Sequence, residues 1–228
     1  MDMTFEGRSS DSPYVETIWR VRSESDCAPV CPAEGRWNLL LTMRDSQIRA
    51  SVEGPLTRAK QKNHVEGTEW LVIRFKLGVF MPFFPLHSHL NSEAILPDAA
   101  RQSFWLNGSA WQLPHYENVE TFVNRFVRSD VLLYDPIVSA VLRDHPLELS
   151  PRTVRRRFLR ATGLTPGIIR QIERAQQAAN LLEQGFSIPD AVFQAGYADQ
   201  PHMTRSLRRF IGQTPAEIAH ANQHAKTD

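Results

Sequence analysis

Residues 150–212 contain ten arginines, no lysine and four acidic residues, which leaves an excess of six positive charges. The arginine side chain is a planar fork of five donors that fits phosphate oxygens and the edge of guanine. A concentration of this residue type therefore indicates binding to nucleic acid rather than catalysis. For any single charged run, the alternative is a solvated surface without a partner.

Five of these arginines lie in segment 151–161, which has the pattern of an amphipathic helix. Val154, Phe158 and Ala161 recur at i, i+4 and i+7 and predict a buried face, with Arg157 at its border. Four arginines point the other way: Arg152, Arg155, Arg156 and Arg160. A short helix that is anchored on one face and cationic on the other suits the reading of a DNA groove.

Segment 200–210 repeats this arrangement. Met203, Leu207 and Phe210 predict its buried face. Its polar side chains point outward or to the sides: Gln200, His202, Thr204, Arg205, Arg208 and Arg209. Between the two basic helices, the apolar periodicity of residues 165–184 predicts one helix about 30 Å long. One turn of B-DNA rises about 34 Å, so helices joined by such a rod could enter successive segments of the major groove.

The elements that position these helices differ between the two halves of the chain. Residues 1–135 carry 14 basic and 17 acidic residues, whereas residues 136–228 carry 12 and 8. Alternation between residues 35 and 77 predicts strands, with Ala50 and Val52 facing inward and Ser51 facing outward. Residues 78–116 predict loops with short strands. Beyond residue 117 the period becomes helical.

Start and stop signals divide this helical part into six or seven short helices. A capping residue is followed by proline at four places: Asp135-Pro136, Ser150-Pro151, Thr165-Pro166 and Thr214-Pro215. Glycines lie where helices should end: Gly163, Gly185, Gly196 and Gly212. The first helix has an apolar face over 119–127. That face is predicted to pack on the β region, on the helices that follow or on a second subunit.

The composition of the 228 residues excludes several classes of protein. At 42% apolar and 22% charged residues, the chain is typical of globular proteins. The most apolar stretch, 77–86, is far shorter than the roughly 20 residues of a membrane span. The N-terminal residues lack the apolar core of a secretory signal. With two cysteines, Cys27 and Cys31, we expect a cytoplasmic protein with reduced thiols.

Segment 149–219 resembles the C-terminal DNA-binding domain of the AraC/XylS family of transcription regulators. The first part of the family pattern is matched by Ser150, Arg152, Val154, Arg156, Phe158, Gly163, Thr165 and Pro166. The closing signature is matched by Ile188, Val192, Ala195, Gly196, Tyr197, Asp199, Arg205, Leu207, Phe210, Gly212, Thr214 and Pro215. The resemblance is strong over about seventy residues.

This resemblance implies an α+β chain with two domains. Residues 1–116 would form a mainly β, cupin-like domain that senses a ligand or dimerises. Residues 117–228 would form an all-α domain with two helix-turn-helix units joined by a linker helix. The implied function is sequence-specific, non-enzymatic binding of double-stranded DNA to regulate transcription. RNA polymerase, a small-molecule effector and a second copy of the chain are the other implied partners, and no cofactor is implied.

The resemblance also assigns roles to individual side chains. The family's base-reading positions are occupied by Arg152, Arg155, Arg156, Gln200, Pro201, His202 and Arg205. Phosphate contacts are expected from Arg160, Thr165, Arg208, Arg209 and Thr214. Pro201 has no donor, so its contact would be lost or apolar. The alternative for Arg156 and Arg205 is that they brace the fold through ion pairs.

The chain departs from the family pattern before each basic helix. Residues 143–149 contain no glycine where the family has a tight turn, and they include Pro146. The first helix-turn-helix is therefore expected to be irregular. Pro189 and Phe193 replace small residues in the second unit.

A rival interpretation rests on His87, His89 and Glu93, which spell the first metal motif of cupins. Imidazole and carboxylate ligands suit iron, manganese or zinc. The alternative function is thus a cupin-type metalloenzyme with a helical appendage. No strong second motif follows, which favours a barrel without metal. The pair Cys27 and Cys31 is a second, weaker candidate for a redox or metal site.

Overall fold

The structure is a computed structural model that describes residues 2–99 and 102–225. Twelve strands are found among these residues: β1 Met3–Ser9, β2 Val15–Ser23, β3 Val30–Cys31, β4 Asn38–Arg44, β5 Gln47–Glu53, β6 Lys60–Gln61, β7 Glu69–Phe75, β8 Val79–Phe80, β9 Glu93–Ile95, β10 Ser103–Leu106, β11 Ser109–Gln112 and β12 Leu133–Tyr134. The α-helices are α1 Val119–Arg128, α2 Ile137–Leu142, α3 Pro151–Thr162, α4 Pro166–Glu183, α5 Ile188–Gln194, α6 Gln200–Phe210 and α7 Pro215–Ala225. The predicted α+β class, with a β region before the helices, is confirmed.

Six strands form one antiparallel sheet in the order β1-β2-β7-β4-β5-β9. Ile73 of β7 lies opposite Ile18 of β2 on one side and Leu39 of β4 on the other. Leu71, Ile73 and Phe75 are buried, which confirms the predicted alternation of this strand. Strands β1 and β2 precede the region in which the sequence pattern predicts strands, so the pattern misses one edge of the sheet.

The outward orientation predicted for Ser51 is wrong. Ser51 has no exposed surface, and all four residues of 50–53 are buried. The prediction assumes that one face of the strand is solvated, as is common in antiparallel sheets. Here the Ser51 hydroxyl instead donates a hydrogen bond to the Glu93 carboxylate of β9. A polar residue paired in this way leaves no signal in the apolar pattern.

The chain is divided into two compact units. Unit 1 comprises residues 1–28, 36–55 and 63–165, and unit 2 comprises 29–35, 56–62 and 166–228. Helices α1 to α3 therefore belong to unit 1, and α4 to α7 belong to unit 2. The predicted domain boundary after residue 116 lies within unit 1, and as a division of function it stays a prediction.

In unit 1, α1 packs on the β region. The Phe126 ring meets the Trp111 ring edge-on at 4.5 Å, and Phe104 lies 6.3 Å from Phe122. Arg8 of β1 also forms a bidentate ion pair with Glu120 of α1. Of the three surfaces predicted to contact the apolar face of α1, the β region is the one on which this face packs.

In unit 2, helices α4 to α7 pack together around an apolar core. This core includes Ile169, Ile172, Ala175, Leu182, Met203, Leu207, Phe210 and Ile218. Two pieces of chain from between the sheet strands complete the unit, and we call Pro29–Gly35 and Leu56–Lys62 the inserted segments. They pair with each other through β3 and β6 and through a bridge between Glu34 and Leu56.

The predicted helix limits are confirmed. Helices α3, α4 and α7 each begin at the proline of their start signal, and α2 begins one residue after its proline. All four glycines predicted to end helices have positive φ: Gly163, Gly185, Gly196 and Gly212. Among the described residues, no helix is both long and apolar enough to cross a membrane.

Candidate nucleic-acid interface

The first helix-turn-helix consists of α2, the turn 143–150 and α3. Helix α2 ends in a Schellman motif, because the His145 amide donates to the Ala140 carbonyl and the Asp144 amide donates to Val141. Asp144 adopts the left-handed φ of 54° that glycine usually supplies at this position. The Ser150 hydroxyl then accepts a hydrogen bond from the Thr153 amide and caps α3. The first helix-turn-helix is thus irregular in the length of its turn, whereas α2 ends in an ordinary Schellman motif.

A charged pair ties α3 to the start of α2. The Arg157 guanidinium donates to both carboxylate oxygens of Asp135, at 2.9 and 2.6 Å. The same carboxylate accepts from the Ile137 amide. Hydrogen bonding to Asp135 raises the pKa of Arg157 above its ordinary value. The arginine that braces α3 through an ion pair is therefore Arg157, at the border of the buried face, rather than Arg156.

The remaining arginines of α3 form an exposed row. Phe158 and Ala161 are buried beneath them, as the periodicity predicts, and Val154 is half-buried. The exposed arginines are Arg152, Arg155, Arg156 and Arg160. Arg160 also lies 5.1 Å over the Phe80 ring. In the described part of the chain, none of these four has a carboxylate within ion-pair distance.

The C-terminal end of α3 lies against the turn that contains the histidines of the rival metal motif. Gly163, at φ 72°, approaches Leu86 and His87 so closely that an added Cβ would lie 2.9 Å from the Leu86 carbonyl carbon. The Thr162 hydroxyl donates to the Phe158 carbonyl and is buried. Glycine is required here by both the backbone angle and the close approach.

The second helix-turn-helix consists of α5, the shorter turn 195–199 and α6. Gly196, at φ 67°, ends α5 in a Schellman motif, because the Tyr197 amide donates to the Val192 carbonyl. The Asp199 carboxylate caps α6 by accepting from the His202 amide at 2.6 Å. The Tyr197 hydroxyl donates to the Ser206 hydroxyl at 2.8 Å, which fastens the turn to α6.

Helix α6 buries its predicted apolar residues and exposes most of its predicted reading residues. Gln200, Pro201, Arg205, Arg208 and Arg209 are exposed. His202 is half-buried, and its ring meets the Tyr197 ring edge-on at 5.1 Å. Arg205 has no carboxylate partner among the described residues, so no ion pair there supports the bracing alternative.

The two threonines predicted to help bind phosphate have different surroundings. Thr165 is exposed immediately before α4. At the start of α7, the Thr214 amide donates to the Glu217 carboxylate at 2.6 Å, and the Glu217 amide donates to the Thr214 hydroxyl. The hydrogen bond from the Thr214 amide to the carboxylate lowers the pKa of Glu217. A phosphate at Thr214 would compete with that carboxylate.

A protein-family model described as "Helix-turn-helix domain" matches residues 146–221, which include both basic helices and the turn between α5 and α6. Residues 146–221 belong to the AraC-type helix-turn-helix family. The AraC-type domain therefore begins in the turn before α3 and continues into α7.

Known proteins with similar sequences match part of this chain. The chain is 38% identical over 68 residues to the HTH-type transcriptional regulator RipA of Corynebacterium glutamicum, which covers 30% of this chain and 20% of RipA. It is 31% identical over 107 residues to the HTH-type transcriptional regulator VirS of Mycobacterium tuberculosis, which covers 41% of this chain and 31% of VirS. The chain thus spans less than a third of these relatives.

A solved structure of ToxT from Vibrio cholerae aligns with 95% of this chain and 98% of its own. The sequence identity is 8% and the TM-score is 0.43.

The structure accommodates both departures within the second unit of the AraC-type domain. Pro189 lies in the first turn of α5, where no amide is needed for the helix ladder. Ser187 caps this helix by accepting from the Asp190 amide. Phe193 is 84% exposed, so it does not crowd the packing between α5 and α6.

The residues of the rival metal motif have other contacts. The His89 ring stacks on Phe84 at 4.3 Å, and Glu93 accepts from Ser51. His87 is exposed. Among the side chains described within residues 2–99 and 102–221, no three His, Cys, Asp or Glu converge in a way that could hold a metal ion. Neither Cys27 nor Cys31 forms a disulfide bond.

Sequence reasoning misses two features of the interface. The sequence pattern identifies Asp135 only as a helix cap, whereas both of its carboxylate oxygens also accept hydrogen bonds from Arg157. The pattern also assigns the inserted segments to the β region alone. A signal for one of them is present, since Arg58, Lys60 and Lys62 alternate in a run without an acid inside an acidic half.

Proposed function

We propose that this protein is a DNA-binding transcription regulator that reads successive segments of the major groove with α3 and α6. The observation that carries the proposal is the exposed row of four arginines on α3, above a buried apolar face. Helix α6 has the same division, with Met203, Leu207 and Phe210 buried beneath exposed arginines. Such helices are anchored on one side and offer cationic donors on the other, as groove reading requires.

The exposed side chains divide into two roles. Base edges would be read by Arg152, Arg155, Arg156, Gln200, His202 and Arg205. Phosphates would be bound by Arg160, Thr165, Arg208, Arg209 and Thr214. Base contacts specify the sequence, whereas phosphate contacts fix the register of the protein on the duplex. Helix α4, with 18 residues, is about 27 Å long, which is comparable with one turn of B-DNA.

The rest of the proposal concerns the region before the AraC-type domain. This region would sense a small-molecule effector or form a homodimer, and RNA polymerase would be the partner of an activator in the cytoplasm. An effector could act only by binding two states of the protein with different affinities. Helix α1 is a candidate coupling element, since its packing on β10 and β11 joins it to the β region within unit 1.

The test is selection of bound sequences from random duplexes with the full chain, followed by titration of the selected duplex at several salt concentrations. Each phosphate contact contributes about −0.9 to the slope of log K against log salt. We expect a slope steeper than about −3 and a preferred sequence. A slope near zero, or no enriched sequence, would contradict the proposal.

A matched pair of variants makes this test specific to α3. Arg152→Gln/Arg155→Gln should abolish selection of the preferred sequence. Arg125→Gln/Arg128→Gln removes the same charge from exposed positions of α1 and should leave selection unchanged. Equal losses in both double variants would mean that net charge, rather than the surface of α3, determines binding.

A further inference from the structure

The C-terminal part of unit 2, residues 166–225, has no net charge. Residues 166–225 contain five arginines and five acidic residues. Helix α3 alone carries five arginines and no acid. A helix that enters the groove of a polyanion needs a cationic surrounding, and the helical part of unit 2 does not supply an excess.

An inserted segment changes this balance. Leu56–Lys62 contains Arg58, Lys60 and Lys62 and no acidic residue. With this segment, unit 2 has nine basic and seven acidic residues, and without it six and seven. Arg58 and Lys60 are exposed, whereas the apolar Leu56 is buried and anchors the segment.

Hydrogen bonds fix this segment at the end of α6. The Ala59 amide donates to the Arg209 carbonyl at 2.8 Å, and the Ala33 amide donates to the Phe210 carbonyl at 2.6 Å. The last carbonyls of a helix have no partner within the helix, so these two bonds satisfy groups that would otherwise need water. The Gln176 side chain of α4 holds the other inserted segment by donating to the Ala33 carbonyl.

The approach of the two segments to the end of α6 is also close. Gly212 approaches the inserted segments so tightly that an added Cβ would lie 2.6 Å from Val30 and 3.1 Å from Ala59. The residues that flank Ala59 in the chain are Arg58 and Lys60. Two exposed cations are therefore held beside the backbone of Arg209, which is itself an exposed arginine of α6.

We propose that Leu56–Lys62 is a third DNA-contacting element, which binds the phosphate backbone beside the groove that α6 reads. The proposal rests on the proposed function and adds a site outside the AraC-type domain. Arg58 and Lys60 are its contact residues. The inserted segment Leu56–Lys62 extends the cationic surface of Arg208 and Arg209, and it changes the net charge of unit 2 from negative to positive.

The test compares two double variants of the full chain on the selected duplex. Arg58→Gln/Lys60→Gln removes the two contacts. Arg44→Gln/Arg49→Gln removes the same charge from exposed positions of the hairpin formed by β4 and β5 in unit 1. We expect the first variant to flatten the salt slope by about 1.8 and to weaken binding about eightfold per lost contact at 0.1 M salt. The second should behave as the unmodified chain.

Charge-preserving exchange and phosphate mapping locate the effect. Arg58→Lys/Lys60→Arg should retain the salt slope. Ethylation of the phosphates that Arg58 and Lys60 contact should interfere with binding by the unmodified chain and no longer interfere with binding by Arg58→Gln/Lys60→Gln, whereas ethylation of the phosphates bound by Arg208 and Arg209 should interfere with both. Circular dichroism melting of each variant separates lost contacts from lost folding.

Two results would overturn the proposal. One is an unchanged salt slope for Arg58→Gln/Lys60→Gln, and the other is an equal reduction in both double variants. Failure of the proposed function has a different signature, because the unmodified chain itself would then show no salt-dependent, sequence-specific binding.

Discussion

The two helix-turn-helix units have the same parts, but different interactions hold their second helices. In each unit a Schellman motif ends the first helix, and a polar side chain caps the second. Helix α3 is then held by an ion pair between Arg157 and Asp135. Helix α6 is held by the Tyr197 hydroxyl and by backbone bonds from the inserted segments.

The two helix-turn-helix units also differ in which part of the chain supplies their positive charge. Helix α3 carries five arginines and no acid, whereas residues 166–225 of unit 2 have no net charge and Leu56–Lys62 adds three cations to that unit. A recognisable sequence motif therefore does not delimit the surface that works with it. The second helix-turn-helix is completed by Leu56–Lys62, a segment that lies more than a hundred residues before α6 in the sequence.

The largest effect is expected from truncation of the phenylalanine that anchors each recognition helix. Phe158 and Phe210 are 1% and 2% exposed. Either change to alanine should cost about 3–5 kcal/mol of the free energy of unfolding, because it leaves a cavity in the core. Hydrogen exchange should show Phe158→Ala loosening unit 1 and Phe210→Ala loosening unit 2. Equal loosening of both units by either variant would contradict their separate cores.

Base reading by the two helices should be lost separately. Arg155→Ala and Arg205→Ala should each relax preference at one end of the selected site, by about 1–3 kcal/mol of discrimination, because an arginine fork on guanine supplies that amount. Arg209→Ala serves as the control and should weaken all sequences alike. Selection from random duplexes measures both outcomes. Uniform weakening by all three variants would show that readers and phosphate binders are assigned wrongly.

Substitution by alanine should have different effects at two glycines of unit 2, Gly196 and Gly212. Gly196→Ala meets no atom within 4 Å, so it should cost only the strain of positive φ, about 1 kcal/mol. Gly212→Ala also collides with Val30 and should cost about 1–3 kcal/mol more. Denaturant unfolding measures both. Val30→Ala should rescue Gly212→Ala but not Gly196→Ala, and absence of this rescue would argue against docking of the inserted segments.

Acid should weaken unit 1 through Glu120. Hydrogen bonding from Arg8 lowers the pKa of Glu120 from 4.5 to about 2. The carboxylate therefore stabilises the fold above about pH 4.5 and loses this contribution as the pH falls towards 2. Because the pair is about a third exposed, we expect about 1 kcal/mol. Glu120→Gln should lower stability at pH 6 and not at pH 2, whereas the exposed Glu117→Gln should change little at either pH.

The smallest effect is expected in the turn of the first unit. Asp144 occupies the position that glycine occupies in the second unit, at a φ of 54°. Asp144→Gly should stabilise the chain by less than about 1 kcal/mol, since glycine reaches this backbone angle without strain. Thermal melting measures the shift. A destabilised variant would mean that the Asp144 side chain contributes more than its backbone angle costs.

The sequence predicts local structure better than it predicts contacts between residues that are far apart in the chain. The starts of α3, α4 and α7 and the four glycine stops follow from side-chain capping and backbone angles, which are local properties. The buried faces of α3 and α6 follow from helical periodicity. Burial of Ser51 could not be predicted in this way, because it depends on Glu93, far along the chain.

The candidate site shows the same limit. The exposed arginines of α3 could be predicted from spacing, but the role of Arg157 depends on Asp135 across a turn. The docking of Ala33 and Ala59 on α6 uses backbone amides, which carry no residue-specific signal. The alternating cations of Leu56–Lys62 are visible in the sequence, yet only the fold associates them with a recognition helix.

We propose that α3 and α6 read two segments of one duplex. Interference mapping at guanine N7 on the selected site, with the full chain bound, tests it most directly. We expect two clusters of major-groove interference whose centres lie about 10 base pairs apart on one face of the duplex. Arg155→Ala should remove contacts from one cluster, and Arg205→Ala should remove contacts from the other. A single cluster, or clusters that both variants weaken equally, would contradict the account.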